Sequence, residues 1–174
     1  MMASTMKNPL SVIAAVGLAL GAVLGMAGTM AAASNLRAAF WAIDSVGLVV
    51  ATAILAISYF RKGKDAVAAG FLVYAIGEAV VLSGTAATLE ASIPAFAAGT
   101  ALWSAALLLT SVPKEFDNWT RATGILGALL FAVTSAKIFW GEQLTPIARP
   151  LPFHAYPFLV FTFAGWTWTL LREQ

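Results

Sequence analysis

The residues able to do chemistry are few. Two carboxylates, Asp44 and Glu78, stand inside long apolar runs, where ionisable groups are costly and mark functional sites by default. Counted inward from the ends of their runs, Asp44 lies about eight residues deep and Glu78 about nine, hence roughly 12 and 14 Å at 1.5 Å per helical residue. On adjacent antiparallel helices the two sit at similar depth. That arrangement suits a shared proton, a cation site or pairing with a basic group. Desolvation disfavours the charged form of a carboxyl group, so Glu78, the deeper of the two, is read as a proton relay or coupling site. Basic complements fall at the same end: Arg37, Lys137, Arg149 and the single histidine, His154. Plainer roles compete with these: a structural hydrogen bond or ion pair for Asp44 and Glu78, snorkelling for Lys137, and an ordinary interfacial position for His154.

The elements that must position these groups follow from composition. Of 174 residues, 60% are hydrophobic and 10% charged, with a mean hydropathy of +0.86. Soluble domains carry roughly 25% charged residues, so this surface is built for lipid. The chain is read as one integral membrane domain over 1–174, an all-α polytopic bundle of about six transmembrane helices. A crossing needs roughly 20 apolar residues, and six stretches qualify: Pro9–Ala33, Leu36–Phe60, Asp65–Ala87, Ile93–Val112, Trp119–Gly141 and Leu151–Leu171. Ser34-Asn35, Arg61-Lys62-Gly63-Lys64, Pro113-Lys114 and the stretch from Glu142 to Pro152 punctuate them.

Cytoplasmic loops retain the excess of Lys and Arg. With the N-terminus inside, Lys7, Arg61, Lys62, Lys64, Lys114, Arg121 and Arg172 fall inside, against Arg37, Arg149 and the outer Lys137. Both termini are therefore expected in the cytoplasm, in a plasma or inner membrane. A rival reading takes Lys7, the first apolar run and Ala31-Ala32-Ala33 as a cleavable leader, although that run exceeds the usual 7–15 residues of such a segment.

Gly17, Gly21 and Gly25 form a ridge spaced by four, which lets another helix backbone approach closely. It serves packing within the bundle or, alternatively, a homo-oligomer interface. Gly70–Gly84 aligns without gaps on Gly127–Gly141, with Gly, Leu, Ala, Ala and Gly identical. The spacing of 57 residues makes helices two and three a parallel hairpin repeat of helices four and five, a plan shared with transporters.

Between Thr145 and Pro157 four prolines interrupt the chain, each removing a backbone donor. Either Pro157 kinks a longer sixth helix, or non-helical backbone dips over a polar cavity around Asp44 and Glu78, where it is tolerated, or the stretch is an ordinary loop. Phe40, Trp41, Trp140, Phe153 and Tyr156 at one interface, and Tyr59, Phe60, Phe116 and Trp119 at the other, read as aromatic belts. Trp103 falls mid-helix, for core packing or a pathway lining.

Several classes are excluded. The absence of Cys removes disulfides, thiolate catalysis and Cys-ligated metals, and one His removes a multi-histidine metal site. No nucleophile elbow, phosphate loop or dinucleotide fingerprint occurs, so no cofactor is expected. No basic run tracks nucleic acid. The expected partners are the bilayer and a small solute or protons.

Asn8-Pro9 opening the first helix, and Arg61-Lys62-Gly63 followed by Phe71-x-x-Tyr74, resemble the small six-helix acetate uptake transporters. Leu10 and Ser11 stand where the fuller Asn-Pro-Ala signature would continue. The hairpin repeat also resembles the six-helix acid-resistance membrane proteins. The first hypothesis is therefore a transporter or channel for a small solute, with a carboxylate moving with protons as the form that the first resemblance implies. Arg37 or Lys137 would then attract the anion, and Asp44 and Glu78 would handle protons. Two other classes stand beside it. One is a membrane enzyme acting on lipid, with Asp44, Glu78 and His154 as acid–base groups. The other is a non-catalytic assembly or stress protein.

Overall fold

A computed structural model describes residues 8–85 and 88–172. Lys7, counted above among the inner cations, and Ala87, the expected end of the third helix, lie outside the described residues. Six α-helices follow one another: α1 (Pro9–Met30), α2 (Ser34–Arg61), α3 (Asp65–Thr85), α4 (Ile93–Ser111), α5 (Asn118–Phe139) and α6 (Tyr156–Arg172), with a 3-10 turn at Phe153–Ala155.

Local chemistry sets the helix ends. Asn8 Oδ1 accepts from Leu10 N at 3.1 Å, and Pro9 occupies the first turn of α1, where a missing N–H costs nothing. The α2–α3 turn closes on Gly63 at φ +69°, with Gly63 N donating to Phe60 O and Lys64 N to Tyr59 O, both at 3.0 Å. That left-handed position favours glycine. Arg121 reaches back from α5, donating from Nε to Ser111 O at 2.9 Å and from Nη2 to Val112 O at 3.0 Å. It thereby satisfies carbonyls left over at the end of α4.

Each helix packs on its neighbours in the chain, and α6 returns to α1, so the six close into a ring. Around the outside stand Leu20 and Val23, Ile43 and Val46, Leu72 and Ile76, Leu126 and Leu129, and Phe161. The polar residues point inward. Thr52, Thr110 and Thr162 are buried and bond carbonyls of their own helices. Ser104 Oγ donates to Ala128 O at 2.8 Å and Ser135 Oγ to Ala97 O at 2.9 Å, stitching α4 to α5. This inversion, apolar outside and polar within, suits a lipid surround. Five helices are long and apolar enough to cross a membrane. The sixth has 17 residues because the proline segment delays it: α6 begins at Tyr156, later than the expected Leu151. Pro157 then lies in the first turn, so it kinks nothing.

The glycine ridge is covered from within the chain. A Cβ at Gly17 would run into Gly47 O of α2, one at Gly21 into Leu48, and one at Gly25 would lie 3.0 Å from Asp44 Oδ2. The ridge is thus the α1–α2 seam, and α2 occupies the face that a second subunit would have used.

The repeat holds in part of its expected register. At the 57-residue spacing Gly70, Tyr74 and Glu78 correspond to Gly127, Phe131 and Ser135, and all six are buried. The buried face of α2 matches that of α4 in another register, with Ser45, Leu48 and Ala51 corresponding to Thr100, Trp103 and Ala106. The gap-free correspondence therefore joins α3 to α5 but does not extend through the whole hairpin.

Gly17→Leu should force α1 off α2 and destabilise the fold by about 1–3 kcal/mol, the usual cost of overpacking. Val23→Leu on the outer face should be close to neutral. Thermal unfolding in detergent, followed by circular dichroism, measures both.

Candidate functional site

The ring interior has two parts. From the basic end upward it is filled by aromatic side chains. Tyr59 packs on Phe71 and Phe116 with ring centroids 5.5 and 5.6 Å apart, and Phe71 packs on Trp166 at 4.8 Å. Tyr74 meets Phe163 at 5.7 Å and stacks on Trp103 at 6.0 Å with an interplanar angle of 11°, while Phe131 meets Trp103 edge-on at 5.3 Å. Tyr59 and Phe116 are 4% and 7% exposed, so they belong to this column rather than to an interfacial belt. Phe60 and Trp119 remain on the outer surface.

Above Trp103 the column gives way to a cavity of about 220 Å³, room for several waters or a small solute. Asp44, Ser45, Glu78 and Trp103 line its depth, and Ser34, Arg37, Thr85, Leu89 and Pro146 line the mouth. The mouth lies at the end carrying the α1–α2, α3–α4 and α5–α6 connections.

Asp44 and Glu78 thus share one chamber, presented by α2 and α3. Ser45 Oγ donates to Glu78 Oε1 at 2.6 Å. Gly25 clears the space beside Asp44 on α1, and the close approach of Gly77 to Gly99 O, 3.2 Å from a built Cβ, lets α4 bring Trp103 beside Glu78. Glu78 is 2% and Asp44 8% exposed. Neither makes an ion pair among the described residues.

Seven buried side-chain polar atoms lack a hydrogen-bond partner among the described residues. Four of them belong to the lining of this cavity: Asp44 Oδ1, Glu78 Oε2, Arg37 Nε and Trp103 Nε1. The Trp103 indole N–H lies toward the Glu78 carboxyl without closing a bond of good geometry. A fifth, Tyr74 OH, sits one helical turn below Glu78 on the same face of α3. Orphaned polar atoms are rare in folded proteins and collect where water, an ion or a ligand belongs.

Arg37 stands at the mouth and donates from Nη2 to Ala31 O at 2.8 Å, fixing the α1–α2 turn. Lys137 lies outside the cavity and pairs with Glu142 Oε2 at 2.9 Å, in a turn that Gly141 permits at φ +95°. His154 is exposed beside Phe153, its ring 5.6 Å from the phenyl ring, and is also outside the lining. The acid–base trio of the enzyme reading, Asp44 with Glu78 and His154, is therefore not gathered in one place.

Compared with known proteins, the chain matches no family model, no curated protein and no solved structure.

The proline segment comes to the mouth of the cavity as non-helical backbone. Pro146 lines it, and Tyr156 OH donates to Pro146 O at 3.2 Å. Sequence reasoning missed Ser45 as the partner of Glu78, and placed Trp41 and Tyr156 in a belt although both line the cavity. Ser45 carried one usable signal: it lies three residues before Leu48 and seven before Thr52, on the face that α2 buries.

Ser45→Ala removes the donor to a buried carboxyl oxygen. It should cost about 1–3 kcal/mol, as an unsatisfied buried group does, without changing helix content. Thermal denaturation in detergent reads the loss, and Ser83→Ala, at an exposed hydroxyl that bonds only its own helix, serves as the control.

Proposed function

We propose that this multi-pass bundle is a small membrane transporter whose solute movement is linked to protons carried by Asp44 and Glu78. One observation carries the reading. Two buried carboxyl groups without ion-pair partners among the described residues line a cavity that opens at one end of the ring, and a packed aromatic column closes the other end. An acidic chamber open on one side is one half of an alternating-access cycle. The other half requires the column around Trp103, Tyr74 and Trp166 to repack, so that the chamber loses its mouth and gains an exit. Such gating runs between discrete packings of helices.

The orientation follows the basic residues. Arg61, Lys62, Lys64, Lys114, Arg121 and Arg172 gather at the column end, which by the positive-inside rule faces the cytoplasm. The cavity then opens to the outside of a plasma or inner membrane. The lipid-enzyme reading loses ground because its single imidazole stands apart from the two carboxyl groups. The assembly reading loses its proposed interface because α2 covers the glycine ridge.

Purified protein in liposomes loaded with a pH-sensitive dye tests the reading, with small organic anions and cations offered in turn. A solute-dependent pH change is expected in the wild type and should fall at least tenfold in Glu78→Gln. Silence with every solute, from folded and oriented protein, would remove the transporter reading.

A further inference from the structure

The chemistry of the chamber selects among solutes. Its deep unpartnered atoms are two carboxyl oxygens, Asp44 Oδ1 and Glu78 Oε2, and one donor, the Trp103 indole N–H, which is already turned toward the Glu78 carboxyl. Oxygen atoms of this kind call for hydrogen-bond donors. A carboxylate solute brings only acceptors and negative charge, and it would meet two acidic groups with one arginine at the rim. An ammonium group brings both donors and positive charge. The lining also includes Trp41, Phe96 and Tyr156, residue types whose rings attract cations. The orphaned, nine-tenths-buried oxygens of the acidic pair and the aromatic residues of the chamber wall lead to one ligand class.

We propose that the cavity is a binding site for a small amine in its ammonium form, with Asp44 and Glu78 as its acceptors and Trp41, Phe96 and Tyr156 as its wall. This rests on the transporter reading for its physiological purpose, but the binding itself does not require transport. A bound ammonium and protons compete for the same two carboxyl groups, so the amine would move in exchange for protons. Besides the pair, the charged and titratable groups around the chamber are Arg37 on α2, Tyr74 on α3 and Tyr156 at the start of α6. The described residues of α1 and α4 contain no ionisable side chain, and those of α5, Arg121 and Lys137, are engaged elsewhere.

Titration calorimetry on the detergent-solubilised full chain tests this, with benzylammonium chloride and sodium acetate as probes. Benzylammonium should bind and acetate should not. Affinity should fall at least tenfold in Asp44→Asn and in Glu78→Gln. In the wild type, where no variant can misfold, it should weaken as pH is lowered and protons compete. Ala38→Trp, at the mouth and away from the carboxyl groups, should also weaken binding by narrowing the entry. Acetate binding in place of benzylammonium would overturn the ligand class, as would benzylammonium binding indifferent to pH and to both carboxyl substitutions. Benzylammonium binding without any pH signal in liposomes would leave the ligand class standing and remove the transporter reading. A pH signal with acetate, without benzylammonium binding, would do the reverse.

Discussion

Hydrocarbon offers no hydrogen bonds, so each polar group that the chain carries into the bilayer has to find a partner within the protein. Six helices meet that demand for the backbone. The hydroxyl side chains meet it by bonding carbonyls of their own helix, as Thr52 and Thr110 do, or of the next, as Ser104 and Ser135 do. This constraint leaves leucine, isoleucine and valine free to cover the outside of the ring and draws the hydroxyl and carboxyl groups inward, beside the buried aromatic column. Among the described residues the accounting falls short mostly around the cavity. Asp44, Glu78, Arg37 and Trp103 each leave an atom unpartnered around one chamber, and the proposed site rests on that deficit.

Close packing and open space are built from the same small residues. Where Gly17 crosses Gly47, and Gly77 crosses Gly99, the helices touch backbone to backbone, and dispersion contacts replace the hydrophobic effect that lipid does not supply. Gly25, two turns along from Gly17, meets a carboxyl group instead of a backbone and marks the point where α1 and α2 begin to enclose the chamber. Below that level bulky rings fill the axis. Above it glycine, serine and alanine leave room.

Much of this was legible in the residues. Six apolar runs with charged or proline-rich breaks gave the helices to within a few residues, and the run lengths put Asp44 and Glu78 at comparable depth. What the runs did not carry was rotation. A helix that is apolar all round gives no periodic sign of which side faces inward, so nothing in the order of residues told that Tyr59 turns to the axis while Phe60 and Trp119 turn away, and Phe116 reaches the axis from the α4–α5 connection. Local folding decided two further cases. Gly141 reverses the chain so that Glu142 meets Lys137, and a 3-10 turn swings His154 to the surface; both depend on a few dihedral angles that residue type leaves open. The proline segment was legible as an interruption, and its place at the chamber mouth became visible only once Tyr156 was seen bonded to Pro146.

The order of contacts around the ring bears on how the protein is made. Every helix after the first packs on the one before it, so a chain emerging residue by residue can dock each new helix on a surface already present. The seam between α1 and α6 is the exception. It joins the first helix of the bundle to the last, and it must stay open until α6 has been made. Until then one flank of α1 waits uncovered, as a temporary edge that only the finished ring buries.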